Sequence, residues 1–370
     1  MKCLILGYYG AKNLGDDMML RALIIWLGQQ SRTVTVISED PSDTSKRFGV
    51  KSVANTPLFL QWGWVGTVLK GHGVKLLKEI IKADEILIGG GDLIRDTKGW
   101  RTFFYTIEKL IFALLFRKPT YMASVGISKP TKKYSKILLK FLLPKCKLII
   151  VRDKRSLNFC RKIGVKNVTL AADIATTLAK NTLTYENQIN LPEKYCLITL
   201  RVAPNLYGQF DINDSHYKCF ANTLDKFIEQ TNSNVIFYPY QNTNIDNDND
   251  IHKIVLSNMN KKRSALIYDW DSDLNNAFNL AANANLVIGM RLHALVVAVS
   301  VNTPCIAMPY DKKLDEFCEL AGIQHFITPE LMMKPDKLLQ LLSQATEHKT
   351  NYSYLETTSW ESIKLDSKFS

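Results

Sequence analysis

The sequence predicts an α/β protein with two Rossmann-like, doubly wound domains that face each other across a cleft. The chain has 370 residues, which is more than a single hydrophobic core usually serves. Short apolar strands alternate with helices, a pattern typical of parallel sheets covered by helices. A polar stretch without periodicity, residues 181–192, interrupts the alternation, which then restarts. We expect an N-terminal domain at 1–180, a linker at 181–192, a C-terminal domain at 193–335, and a C-terminal helix and tail at 336–370.

The opening of the chain predicts the first half of a Rossmann-like domain. A strand at Cys3–Leu6 leads into a glycine-containing turn and then into an apolar helix from Met18 to about Leu27. Strand, glycine turn and helix is the usual start of such a domain. The glycines do not have the G-x-G-x-x-G spacing, which argues against a dinucleotide-dependent dehydrogenase. We expect Asp16 or Asp17 to cap the helix.

Later strands of this domain end at residues that could bind a ligand. The strand Glu85–Ile88 ends at three glycines and Asp92, and consecutive glycines let a backbone approach a ligand closely. The strand Leu148–Val151 ends at Arg152, with Ser156 a few residues further on. Further strands of this domain are predicted at 33–38, 121–125 and 168–171.

The second domain repeats this organisation with arginines at its strand ends. Arg201 follows one predicted strand, and Arg291 and His293 follow another that stops at a glycine. The segment Asn242–Asp250 is rich in Asn and Asp, so we expect an exposed, mobile loop. Strands of this domain are predicted at 196–200, 235–238, 265–268, 286–288 and 305–308, the last followed by Tyr310 and Asp311.

Arginines at several strand ends suggest a site for an anion. The ends of parallel strands meet at one edge of a sheet, and arginine forks recognise carboxylate and phosphate oxygens. Taken singly, Arg152, Arg201 and Arg291 could each be an ordinary surface or ion-pair residue. His293 has an unperturbed pKa near neutrality, which makes it the natural proton carrier of the set.

Composition narrows the class of partner. The formal net charge of +12 and a pI near 9.2 favour anionic partners such as phosphorylated metabolites or an acidic membrane surface. Basic residues are scattered, which argues against nucleic acid. Seven cysteines without a C-x-x-C pair indicate reduced thiols in a cytoplasm. The apolar run Leu110–Phe116 is too short to span a membrane. Histidine spacing predicts no metal site, and there is no P-loop or G-x-S-x-G motif.

Four segments of the chain carry a family resemblance. They are Gly7-Tyr8-Tyr9-Gly10-Ala11-Lys12-Asn13-Leu14-Gly15-Asp16-Asp17, Ile88-Gly89-Gly90-Gly91-Asp92, Arg152-Asp153-Lys154-Arg155-Ser156 and Gly289-Met290-Arg291-Leu292-His293-Ala294. These segments resemble the polysaccharide pyruvyl transferase family, occur in the family's order and span nearly the whole chain. One further segment differs, because the family pattern often has Pro-x-His and then an acid after the strand near Val235. Here Gln241 takes the third place of Pro239-Tyr240-Gln241, and the nearest acid is Asp246.

The resemblance implies a GT-B-like fold and a transferase without a cofactor. Its donor would be phosphoenolpyruvate, and its acceptor a sugar of a surface polysaccharide or of a lipid-linked precursor. The product would be a pyruvate ketal, with release of phosphate. On this basis His293 is the expected acid, and Asp16 or Asp17 is the expected base or sugar ligand, with Asp16 taken as the catalytic residue. The expected substrate-binding residues are Asn13, Gly15, Asp17, Gly89, Gly90, Gly91, Asp92, Arg152, Ser156, Arg201, Arg291, Leu292, Tyr310 and Asp311.

Two other functions stay open at the level of sequence. A sugar-nucleotide glycosyltransferase could have the same architecture, since one fold hosts many activities. A non-catalytic relative that binds glycans or phosphate is the third possibility. The expected location is the cytoplasm, with peripheral contact at the inner face of an anionic cell membrane as an extension of the first hypothesis.

Overall fold

The computed structural model describes residues 1–58, 71–97, 99–181, 191–202, 212–244, 246–347 and 360–365. The chain forms two compact α/β units, which confirms the predicted fold class. Unit 1 contains residues 1–11, 16–174 and 358–370, and unit 2 contains residues 12–15 and 175–357. Most of the predicted linker at 181–192 lies outside the described residues.

The described part of unit 1 is built on a sheet of seven parallel strands. Its strands are largely apolar and buried, as expected for a sheet covered by helices on both faces. They are β1 (Lys2–Tyr9), β2 (Thr33–Ser38), β3 (Lys51–Ala54), β4 (Glu85–Ile94), β5 (Thr120–Ile127), β6 (Leu148–Val151) and β7 (Val168–Leu170). Their order in the sheet is β3-β2-β1-β4-β5-β6-β7.

Helices follow the strands of unit 1 and cover its core. They are α1 (Leu14–Gly28), α2 (Pro41–Phe48), α3 (His72–Lys82), α4 (Trp100–Leu115), α5 (Lys133–Leu142), followed by a 3-10 turn at Leu143–Lys145, and α6 (Lys154–Lys162). The prediction that Asp16 or Asp17 caps α1 is wrong, since the helix begins at Leu14 and both acids lie in its first turn. The Leu14 N–H is bound by the Tyr240 carbonyl at 2.9 Å, so a backbone group replaces the expected side-chain cap.

The described part of unit 2 has a five-stranded parallel sheet in the order β10-β9-β8-β11-β12. The strands are β8 (Tyr195–Thr199), β9 (Asn234–Phe237), β10 (Ala265–Ile267), β11 (Leu286–Gly289) and β12 (Cys305–Ala307). The helices are α7 (Leu178–Asn181), α8 (Asp214–Thr231), α9 (Asp248–Asn258), α10 (Leu274–Asn283), α11 (Leu292–Ser300), α12 (Lys312–Ala321), α13 (Pro329–Met332) and α14 (Pro335–Glu347), with 3-10 turns at Ile174–Thr177 and Lys262–Ser264.

The C-terminal segment returns to unit 1. A 3-10 turn at Trp360–Ser362 places Trp360 edge-on against Trp26, with ring centroids 5.2 Å apart. The Trp360 indole N–H donates to the Ala172 carbonyl at 2.8 Å. Among the described helices, none is long and apolar enough to cross a bilayer.

Each sheet has one point at which its strand order reverses. In unit 1 this point lies between β1 and β4, and in unit 2 it lies between β8 and β11. Loops at the carboxyl ends of the strands on either side of such a point leave a crevice that commonly binds ligands. These two sheet edges are therefore the candidate ligand-binding regions.

Candidate functional site

Two arginines flank the strand-order reversal of unit 2. Thr199 and Gly289 are paired in register, so β8 and β11 end side by side. Arg201 follows β8, and Arg291 precedes the first turn of α11. The topology thus places two residues, 90 positions apart by number, at one sheet edge.

Arg291 is buried and held by two carboxylates. Its Nε lies 3.0 Å from Asp248 Oδ1, and its Nη2 donates to the same carboxylate. Nη2 also lies 2.8 Å from Asp246 Oδ1. Burial lowers the pKa of Arg291, but Asp248 and then Asp246 outweigh it and raise that pKa above its ordinary value. The guanidinium is therefore a permanent cation.

Arg201 shares one of these carboxylates. Its Nη2 lies 3.1 Å from Asp246 Oδ2, and its Nη1 donates to the Tyr310 hydroxyl at 2.9 Å. The guanidinium also lies 4.6 Å from the centre of the Tyr310 ring. Asp246 therefore bridges both arginines, one with each oxygen, while its side chain stays 24% exposed. The two guanidinium groups are close enough to bind a single carboxylate together.

A buried polar layer beneath the arginines fixes their positions. Asp248 accepts the Tyr240 and Gln241 N–H groups at 2.9 and 3.1 Å, in addition to its bonds with Arg291. His252 accepts the Leu200 N–H on Nε2 at 3.1 Å, and its Nδ1 lies 2.9 Å from Asn249 Oδ1. This pattern fits the neutral tautomer with its proton on Nδ1. Burial, and then Arg291, lowers the pKa of His252 to about 3, which keeps the ring neutral.

Residues 12–15 belong to unit 2 and complete this edge. Asn13 Nδ2 donates to Gln241 Oε1 at 2.7 Å, and Arg291 Nη1 lies 3.4 Å from the same oxygen. Gly15 lies directly against the half-buried imidazole of His293, because a Cβ at that position would overlap its Nδ1 and Cγ. Gly15 is thus required for the close approach of the ring to the backbone.

Two further predicted residues of unit 2 have evident structural roles. Leu292 is buried as the first residue of α11. Asp311 caps α12 by accepting the Leu314 N–H at 3.2 Å, and it forms an ion pair with Lys313 at 3.4 Å. Tyr310, between β12 and this cap, contacts Arg201 directly.

The unit 1 edge is built from glycines packed against α1. Gly90 and Gly91 have φ angles of +75° and +80°, in the left-handed region that favours glycine. A Cβ on Gly91 would stand 3.3 Å from Asp16 Oδ1, and a Cβ on Gly89 would overlap Leu23. The triple glycine therefore lets β4 pass close to α1 and brings backbone beside the half-buried Asp16.

The carboxylate of Asp17 is paired with Arg47 and not with the glycines of β4. Its Oδ2 accepts from Arg47 Nη1 at 2.7 Å, and its buried Oδ1 has no hydrogen-bond partner among the described residues. Burial raises the pKa of Asp17 to about 6, although Arg47 opposes the shift. Of the two neighbouring acids, Asp16 is the one beside the glycines.

The remaining predicted residues of unit 1 are tied into local contacts. Arg152 is paired with Asp173 at 2.6 Å and has a side chain only 10% exposed. Ser156 is fully buried, accepts the Ile127 N–H at 2.8 Å and donates to Asp153, the cap of α6. Asp92 accepts the Ser128 hydroxyl at 3.0 Å. These contacts join the ends of β4, β5 and β6.

Sequence reasoning missed four residues of the unit 2 edge, namely Gln241, Asp246, Asp248 and His252. The prediction of an exposed loop at 242–250 is wrong at its end, because α9 begins at Asp248 and Asp248 and Asn249 are buried. A usable signal was present, since arginines at buried strand ends require carboxylates to balance their charge. Acids following a neighbouring strand are the natural suppliers.

The fold is similar to that of several solved structures. The UDP-GlcNAc 2-epimerase of Methanocaldococcus jannaschii is similar in structure, with a TM-score of 0.66, 14% identity, and coverage of 95% of this chain and 94% of that one. MnaA of S. aureus, solved with UDP, has a TM-score of 0.63, 15% identity, and coverage of 96% and 93%. A glycotransferase of kitacinnamycin has a TM-score of 0.55, 11% identity, and the same coverage. At these identities the likeness shows the shared fold.

The sequence itself matches a family of transferases. The polysaccharide pyruvyl transferase model matches residues 13–312, and the chain belongs to that family. The amylovoran biosynthesis protein AmsJ of Erwinia amylovora is 23% identical over 403 aligned residues, which cover 96% of this chain and 94% of that protein. The resemblance inferred from four motifs is thereby confirmed, and with it a transferase role in polysaccharide biosynthesis.

Proposed function

We propose that the protein transfers a pyruvyl group from phosphoenolpyruvate to a sugar of a surface polysaccharide or its lipid-linked precursor, and releases phosphate. The observation that carries the proposal is the shared carboxylate of Asp246, which bonds to Arg201 and Arg291 at once. A carboxylate or phosphate of the donor can bind to the same two guanidinium groups when the Asp246 side chain moves away from them. Arg152, the third arginine predicted at a strand end, is paired with Asp173 in unit 1.

The reaction needs one proton delivered to the donor and two removed from the acceptor. Protonation of the donor's methylene carbon makes the central carbon electrophilic, and one sugar hydroxyl adds there and loses its proton. The bond to the phosphate oxygen then breaks, the departing phosphate takes up one proton, and a second hydroxyl adds and loses its proton. The products are a cyclic pyruvate ketal and inorganic phosphate.

We assign the proton donor to His293 and the base to Asp16. His293 is held against Gly15 at the edge that carries the two arginines, which supports a role next to the donor. Asp16 is half-buried beside Gly91 at the end of β4, whereas Asp17 is buried and engaged by Arg47. The arrangement supports Asp16 as the carboxylate that receives a hydroxyl proton from the acceptor.

The acceptor is proposed to be a glycan assembled at the cytoplasmic face of a membrane. The relative named for amylovoran biosynthesis supports a polysaccharide product. A net charge of +12 supports peripheral contact with an anionic membrane that carries a lipid-linked acceptor.

Calorimetric titration with phosphoenolpyruvate tests the donor. We expect saturable binding by the wild-type protein, and at least a tenfold weaker Kd in Arg201→Gln, because one of two charge-assisted forks is lost. Arg201→Lys is the matched variant that keeps the charge but not the forked guanidinium group. We expect its Kd to lie between those of wild type and Arg201→Gln. Arg201 suits this test because its side chain is partly exposed and its loss leaves Asp248 paired with Arg291.

A second assay tests the transfer itself. Acceptor oligosaccharide incubated with phosphoenolpyruvate should release phosphate and gain the mass of one pyruvate less one water. Binding of a nucleotide sugar in place of phosphoenolpyruvate would identify a glycosyltransferase. Binding of glycan alone, with no turnover in the presence of the donor, would indicate a non-catalytic relative.

A further inference from the structure

Helix α5 of unit 1 exposes an apolar stripe to solvent. Ile137 and Phe141 are 60% and 62% exposed, and Tyr134 is 38% exposed. Positions 134, 137 and 141 share one face of a helix because they are spaced by three and four residues. The other face of α5 is buried against the core through Ser135, Leu139 and Leu142. Scattered exposed apolar residues are ordinary, but three on one face form a patch.

Lysines surround this stripe. Between residues 129 and 147 the sequence has seven lysines and no Asp or Glu. On α5 itself, Lys133, Lys136 and Lys140 share the face adjacent to the apolar stripe. The Lys145 ammonium lies 3.7 Å from the centre of the Phe141 ring. All seven side chains are exposed; they are Lys129, Lys132, Lys133, Lys136, Lys140, Lys145 and Lys147.

Aromatic side chains extend the patch onto α4. Tyr134 stacks on Phe104 with ring centroids 6.0 Å apart, and Phe104 meets Trp100 edge-on at 6.5 Å. Trp100 is 47% exposed, and Arg101 lies over its ring at 5.5 Å. Exposed tryptophan and tyrosine beside basic residues suit the interface between lipid headgroups and acyl chains.

One end of the patch is anchored to the unit 1 sheet. Asp96, which follows β4, accepts the Thr131 and Lys132 N–H groups at 2.9 and 2.8 Å, and so fixes the turn that starts α5. Trp100 and Tyr134 both lie in the first turn of a helix that follows a strand end. This end of the patch therefore lies toward the carboxyl edge of the unit 1 sheet, and the Phe141 end lies toward the opposite edge.

We propose that the α5 patch, made of Trp100, Tyr134, Ile137, Phe141 and the seven lysines of 129–147, binds an anionic lipid bilayer. The apolar side chains enter the headgroup region while the lysines meet lipid phosphates, as in amphipathic helices that lie in the membrane plane. The segment 129–147 has seven lysines and no Asp or Glu, so its charge is complementary to that of an anionic lipid surface. The inference specifies the membrane contact of the proposed function and depends on it for its biological purpose, but not for its measurement.

Vesicle co-sedimentation tests the patch, with no donor or acceptor present. The wild-type protein should bind phosphatidylcholine vesicles containing about a third phosphatidylglycerol, bind neutral vesicles weakly, and release as salt is raised. The triple variant Lys133→Glu/Lys136→Glu/Lys140→Glu should bind anionic vesicles at least about tenfold more weakly. Ile137→Ser/Phe141→Ser should weaken binding by a similar factor without changing the charge.

A matched variant separates the patch from overall charge. Lys218→Glu/Lys253→Glu/Lys337→Glu makes the same change at exposed positions of unit 2 and should leave vesicle binding within about twofold of wild type. Equal losses in both triple variants would overturn the proposal, as would binding of single-stranded DNA or an acidic peptide through α5 without binding of vesicles. Phosphoenolpyruvate titration of the same variants shows whether the donor site is intact, so failure here is distinguishable from failure of the proposed function.

Discussion

The two sheet edges have the same topology and opposite chemistry. At the unit 1 reversal, Asp16 lies beside Gly91, and the glycines of β4 pack closely against α1. At the unit 2 reversal, Arg201 and Arg291 converge on one carboxylate. Both edges come from parallel strands with helices after them, so the fold does not account for the difference.

This contrast assigns different ligands to the two edges under the proposed function. The half-buried carboxylate of Asp16 suits neutral sugar hydroxyls, which donate to carboxylates. Paired guanidinium groups suit a ligand with a carboxylate and a phosphate. The comparison therefore predicts that changes at each edge affect different properties.

The largest expected effect is on folding and separates the two arginines of unit 2. Arg291→Ala leaves Asp248 buried without its cation, which should cost about 3–5 kcal/mol of unfolding free energy. Arg201→Ala removes a partly exposed group and should cost about 1 kcal/mol or less. Urea denaturation measures both.

Restoring charge balance provides the control. Arg291→Met combined with Asp248→Asn removes both charges while the amide oxygen can still accept from the Tyr240 and Gln241 N–H groups, and it should recover most of the stability lost in Arg291→Ala. Equal costs for Arg201→Ala and Arg291→Ala would mean that Asp248 is not the anchor of this edge.

The next effect concerns the buried acid of unit 1. Because burial raises the pKa of Asp17 to about 6, protonation favours the folded state, and this stabilisation is present in full below about pH 4. It is lost as the pH rises through 6, by about 3 kcal/mol in total. Urea denaturation of wild type and Asp17→Asn is measured at pH values between 4 and 7. The free energy of unfolding of the variant, relative to that of wild type, should rise as the pH rises. A constant difference across that range would contradict the raised pKa.

Gly15 gives a test of His293 in which the histidine itself is not replaced. A Cβ at residue 15 would overlap the ring, so Gly15→Ala should displace it and lower turnover by roughly 100-fold, as His293→Ala should. Gly28→Ala changes a glycine of the same helix whose Cβ would meet no atom within 4 Å, and it should keep normal turnover. Full activity in Gly15→Ala would remove the assignment of His293 as the proton donor.

The smallest effect is a gain. Asp246 occupies both forks to which the donor is proposed to bind, so Asp246→Asn should tighten phosphoenolpyruvate binding by a few-fold, since a neutral amide competes less than a carboxylate. Isothermal titration calorimetry measures the change. Weaker binding in the variant would show that Asp246 holds the arginines in place and does not compete for them.

Much of the architecture follows from local pattern. The apolar segments at 3–6, 33–38, 148–151 and 286–288 lie within β1, β2, β6 and β11, because alternating strands and helices are dictated by short-range periodicity. The segment before Met18 shows the limit of prediction from local pattern. The helix extends back to Leu14 because a carbonyl from Tyr240, far along the chain, satisfies its first N–H.

The sequence by itself determined that two parallel sheets form and that arginines and glycines stand at their carboxyl edges, because strand ends are marked by local composition. The partners of those residues were decided only by tertiary structure. Asp248 lies 43 positions from Arg291 and sits in a segment whose polarity predicts exposure. It is buried because sheet topology brings β9 beside β8, and the ion pair with Arg291 offsets the cost of removing both charges from water.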